Sequence, residues 1–182
     1  AFGGNDGYLT NLVVHQSAEL YNPATGTWSN TGSMHQKRQE FASAVLPNGN
    51  VIAIGGEDEN SNMTASCEIY NVSSGTWAYT DSLSAPRYNF KAVLLNNGRV
   101  LIAGGLPTTN SCEIYDPSLS AWSPTGNMNS QHDEGMSLVR LADGRVLATG
   151  GSGDYTGAEI YDPSPGTWKF SIWKYIVSNC FH

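Results

Sequence analysis

The histidine, cysteine, arginine and acidic side chains are the residues whose types could do chemistry, and their spacing narrows what that chemistry is. His15, His35, His132 and His182 form no spaced pair, and the three cysteines add no zinc-type ligand pattern. A phosphate-binding Gly-Lys-Ser/Thr loop and a Gly-x-Ser-x-Gly nucleophile elbow are also missing. His132, Asp133 and Glu134 are adjacent and could converge for acid–base work, but neighbours on a strand point to alternate faces. Glu57-Asp58-Glu59 reads either as a cation site or as a solvated acidic loop. Arg38, Arg87 and His132 each stand ten residues after a tryptophan (Trp28, Trp77, Trp122), so they occupy equivalent positions. A cation there either meets a ligand or bridges neighbouring segments through backbone carbonyls. No cofactor and no metal is expected from these residues.

The elements that must position them are repeated. Glycine pairs recur at Gly3-Gly4, Gly55-Gly56, Gly104-Gly105 and Gly150-Gly151, spaced 52, 49 and 46 residues apart. Each is followed by a Glu-aliphatic-Tyr triplet (Glu19, Glu68, Glu113 and Glu159 open them) and then by Trp28, Trp77, Trp122 or Trp168. Ahead of three of the pairs lie an Asn-Gly or Asp-Gly turn and an apolar run such as Val100-Leu101-Ile102-Ala103. These turns fit the positive φ angles of a two-residue hairpin, and the runs fit strands covered on both faces. Each full repeat therefore predicts four short strands. A glutamate that recurs in every repeat points to a shared structural bond rather than to one site. Cys67 and Cys112 alternate with Ala18 and Ala158, as a small buried position would.

The Gly-Gly, Tyr and Trp pattern resembles the kelch repeat. The wording Leu95-Asn96-Asn97-Gly98-Arg99-Val100-Leu101-Ile102-Ala103-Gly104-Gly105 is similar to kelch proteins related to the central domain of galactose oxidase. That resemblance implies an all-β fold, a kelch-type β-propeller of four-stranded antiparallel blades, with Tyr and Trp filling the gaps between blades. Three complete repeats span 34–79, 83–123 and 128–170, a partial one 1–33, and the tail 171–182 abandons the pattern. The ring is thus expected to be incomplete or irregularly closed, and open blade edges would favour self-association.

Length variation locates the adaptable side. From Tyr to Trp is seven residues in all four repeats, whereas from the first glycine of the pair to the Glu is 16, 13, 9 and 9. Variation confined to one connection marks a binding face. In a four-stranded meander the connection between strands two and three opens on the same face as the connection between repeats. The expected ligand-binding set on that face is Arg38, Arg87, Tyr88, His132, Asp133, Glu57, Asp58 and Tyr155.

Composition bounds the partners. Sixteen acidic residues against nine basic ones give a formal charge of −7, so a nucleic-acid partner is not expected. No apolar run reaches the length of a membrane span, and Ala1-Phe2-Gly3-Gly4 lacks the features of a signal peptide. An extracellular and a cytoplasmic setting are both compatible with three cysteines. The expected function is a non-catalytic module that binds a protein or a glycan. The alternative is a fragment of a galactose oxidase-like copper radical oxidase. The resemblance implies that such chemistry needs two tyrosines, two histidines and a cysteine cross-linked to a tyrosine, and no matching set stands out.

Overall fold

The computed structural model describes residues 1–7, 13–107, 110–151 and 157–171. Among them every regular element is a β-strand. Two compact units divide the chain, Ala1–Tyr88 and Asn89–His182. The N-terminal unit holds a two-stranded sheet, β1 (Ala18–Asn22) and β2 (Thr27–Thr31), and a four-stranded sheet. The latter comprises β3 (Ala42–Val45), β4 (Val51–Ile54), β5 (Cys67–Asn71) and β6 (Thr76–Thr80). The C-terminal unit holds two more four-stranded sheets. One contains β7 (Lys91–Leu94), β8 (Val100–Ala103), β9 (Cys112–Asp116) and β10 (Ala121–Pro124). The other contains β11 (Ser137–Arg140), β12 (Val146–Thr149), β13 (Glu159–Asp162) and β14 (Thr167–Phe170). Every pairing is antiparallel between consecutive strands.

The apolar runs become the second strand of each full sheet. Ile52, Ala53 and Ile54 on β4 and all four residues of β8 are buried, which explains why these runs do not alternate with polar residues. The turn before each run differs from the two-residue hairpin that the sequence suggests. Leu46 N–H bonds Asn50 O at 2.8 Å, Gly49 N–H bonds Leu46 O, and only Gly49 takes a positive φ, of 84°. This is a three-residue turn closed by a left-handed glycine, and Leu95–Arg99 and Leu141–Arg145 repeat the same bonds. Cys67 and Cys112 are buried and not joined in a disulfide, at the start of β5 and β9.

Within each unit, adjacent sheets meet through one recurring seam. The Tyr70 and Trp77 rings meet at a tilt, 5.2 Å apart, in the N-terminal unit; Thr31 Oγ1 meets the Tyr70 hydroxyl at 2.6 Å, and Trp77 Nε1 donates to Gly32 O. Gly32 N–H donates to Gly75 O, and a Cβ on Gly32 would stand 2.3 Å from that oxygen, so backbone lies directly on backbone. The C-terminal unit repeats the pattern with Thr125 on Tyr161 at 2.6 Å and Gly126 on Gly166. Around these contacts lie the cores, including Ala53, Met34 and Tyr70 in one unit and Leu101, Val146 and Tyr161 in the other.

Candidate functional site

The site grows from the repeated glutamate. Glu68, on β5 with a fully buried side chain, accepts His35 N–H at 2.7 Å and Gln36 N–H at 3.2 Å. Its carboxylate also takes Arg38 Nη2 at 2.9 Å and His35 Nδ1 at 2.8 Å. Burial alone would push Glu68 up, but these donors outweigh it and hold the carboxyl below its ordinary range. Glu159 on β13 does the same work in the other unit, accepting Asn129 N–H, Asn129 Nδ2 and Ser130 N–H. The glutamate therefore ties the connection between repeats to the third strand of the following sheet.

Arg38 completes that tie. Its guanidinium donates to Gly55 O at 2.8 Å, Ser66 O at 2.9 Å and Ser66 Oγ at 2.8 Å in addition to Glu68, and no part of the residue reaches solvent. Of the two roles open to a cation at this position, the observed contacts are those of a bridge through carbonyls. The main chain here is equally repetitive: Arg38 O, Arg87 O and His132 O accept the amides of Gly4, Gly56 and Gly105.

Above this scaffold a polar cleft of about 420 Å³ opens, lined by Gln16, His35, Gln36, Lys37, Asp58, Glu59, Asn62, Met63 and Thr64. Its walls are already paired with one another. Lys37 Nζ meets Glu59 Oε1 at 2.9 Å, and the His35 ring lies 4.9 Å from that of Tyr79. Asp58 Oδ1 accepts the amides of Asn60 and Asn62, and its Oδ2 accepts Asn62 Nδ2 at 2.9 Å. The Asn62 side chain and amide hold Asp58 below the usual carboxylate range, and the Lys37 contact does so for Glu59. A ligand would meet a fixed array of carboxamide, carboxylate, hydroxyl and imidazole groups with little to reorganise.

The eight residues expected to bind are distributed unevenly. Asp58 lines the cleft. Glu57 lies buried behind it, pairing with Gln39 through both backbones and through Gln39 Nε2 at 3.0 Å. Arg38 is beneath the floor, Arg87 is buried at 3% exposure, and Tyr88 is half-buried. His132 and Asp133 are buried in the C-terminal unit, and Tyr155 lies outside the described residues. Gln16, Gln36, Lys37, Asn62, Met63 and Thr64 were not in the expected set, although they belong to the segments whose lengths vary or to the connection between repeats. That signal locates the face but not the side chains that turn towards it.

No family model matches the chain, and no curated protein matches it. Among solved structures the chain is similar to a fungal alcohol oxidase of the AA5 family in complex with copper. Identity is 23%, the TM-score is 0.58, and the match covers 72% of this chain and 30% of that one. At this identity the likeness shows the fold: an all-β chain of four-stranded antiparallel sheets. The chain spans about a third of that protein's length. Among the described residues no three His, Cys, Asp or Glu side chains are grouped to hold a metal ion. His35 and His132 each turn a ring nitrogen to a buried glutamate instead.

Proposed function

We propose that the chain is part of a kelch-type β-propeller and acts as a non-catalytic binding module for a protein or carbohydrate. One observation carries this reading. Every residue lining the cleft comes from the segment before β1, the β2–β3 connection or the β4–β5 connection. Those are the connections that the repeat pattern marks as variable or as joining one repeat to the next. Three carboxamides, two carboxylates and a hydroxyl, with Met63 as the one apolar side chain, suit a hydroxyl-rich ligand better than an apolar one. Glycan and peptide arrays probed with the intact chain test the reading. A hit whose affinity drops in Asp58→Ala and Asn62→Ala supports it; failure to bind either array, or binding indifferent to both changes, rejects it.

The second reading, a piece of a copper radical oxidase, is prompted by the copper-bound fungal oxidase of similar fold. Among the described residues no histidine stands in a group of three His, Cys, Asp or Glu side chains, which gives this reading no support. One equivalent of tightly bound copper, measured on metal-loaded protein, would revive it.

A further inference from the structure

We propose that His132 is a proton-operated latch, fastening the β10–β11 connection to the ends of β12 and β13 when its ring is doubly protonated and releasing it as pH rises. The comparison with Arg38 carries this. His132 Nδ1 lies 2.6 Å from Gly150 O, as Arg38 Nη1 lies 2.8 Å from Gly55 O; both oxygens belong to the first glycine of a pair. His132 Nε2 faces Glu159 Oε1 at 3.4 Å, as Arg38 Nη2 faces Glu68 Oε1 at 2.9 Å. Neither His132 nor the Glu159 side chain reaches solvent. Gly157 takes the place of Ser66, so the hydroxyl that Arg38 Nη2 meets at 2.8 Å is replaced by a residue without a side chain.

Both ring nitrogens therefore face an oxygen that can only accept. An imidazolium donates to both; a neutral ring has one N–H and must turn a lone pair towards one of them. A guanidinium in the same place stays charged at every physiological pH. The ionised state of Glu159 is favoured by His132 and by the Asn129 and Ser130 amides, which together outweigh its burial. Among the described residues the charged group facing the ring is Glu159 from β13; Asp133 and Glu134 follow His132 along its own connection. From the ends of β8 and β12 the glycine pairs contribute backbone only. The Glu159 carboxylate facing Nε2 favours the protonated ring, so the latch is closed at lower pH and opens as pH rises through the imidazole range.

Hydrogen exchange on the full chain, corrected for the intrinsic pH dependence of the exchange rate, tests this. Protection of amides in 129–136 is expected to fall about tenfold or more between about pH 5.5 and about pH 8.5, while amides in 36–39, held by Arg38, keep theirs. His132→Arg should remove the fall. His132→Gln, which cannot be charged, should show the weaker protection at both pH values, independently of whether the arginine variant folds. Constant wild-type protection across the range, or the same fall persisting in His132→Gln, overturns the latch.

Discussion

The first two repeats share a hairpin and differ in everything that surrounds it. The Tyr21 and Trp28 rings meet at a tilt, 5.1 Å apart across β1 and β2, as those of Tyr70 and Trp77 do at 5.2 Å across β5 and β6. Yet Tyr21 and Trp28 are 52% and 54% exposed, against 4% and 7% for Tyr70 and Trp77. Glu19 is exposed on β1, whereas its counterpart Glu68 is sealed from solvent. The hairpin and the ring pair form alike whether the rings are exposed or buried. Burial is conferred by what packs on the second hairpin: Thr31 and Gly32 from the preceding repeat and the His35–Arg38 segment from the start of its own.

Paired substitutions are the way to break this comparison. The largest gap is expected at the glutamates. Glu68→Ala strands the Arg38 cation in the interior and should cost about 4 kcal/mol in denaturant unfolding, whereas Glu19→Ala should stay within about 0.5 kcal/mol. Next come the tryptophans: Trp77→Ala should cost about 3 kcal/mol and Trp28→Ala a small fraction of that. Similar losses at both members of either pair would refute the claim that these surroundings confer the difference. Tyr70→Phe removes the hydroxyl that meets Thr31 and should cost about 1 kcal/mol, with Tyr21→Phe neutral.

Acid sharpens the same contrast more gently. Glu68 is held below its ordinary carboxylate range when folded. Its contribution is present above the unfolded carboxylate value and is lost as pH falls through the lower folded one. A pH series of unfolding midpoints should therefore show an acid limb that Glu68→Gln flattens and Glu19→Gln leaves intact. An unchanged limb in Glu68→Gln would place the acid sensitivity elsewhere.

Much of the architecture is legible in the sequence because its periodicities are set by local chemistry. The Val-Ile-Ala-Ile type of run, the Asn-Gly and Asp-Gly turns and the glutamate at the head of the third strand all lie where the strand pairing needs them. The turns misled in detail, since a glycine preceded by Asn or Asp serves a three-residue turn as well as a two-residue one. The candidate site was legible only as a face. Arg38 and Asp58 look alike in the sequence as polar residues on that face, but the first turns inward to Gly55, Ser66 and Glu68, and the second turns towards the cleft. What separates them is the number of backbone carbonyls within reach, and that is decided by how the β2–β3 connection folds onto the ends of β4 and β5.

The contact of Gly32 on Gly75, repeated by Gly126 on Gly166, has a consequence for how such a chain can change over generations. A joint made of one main chain resting on another carries little side-chain information, so a duplicated repeat arrives with its coupling already built. Repeats can then be gained, lost or exchanged without redesigning their neighbours. The connection after each glycine pair stays free to lengthen and diverge, as the spacings of 16, 13, 9 and 9 from first glycine to glutamate record.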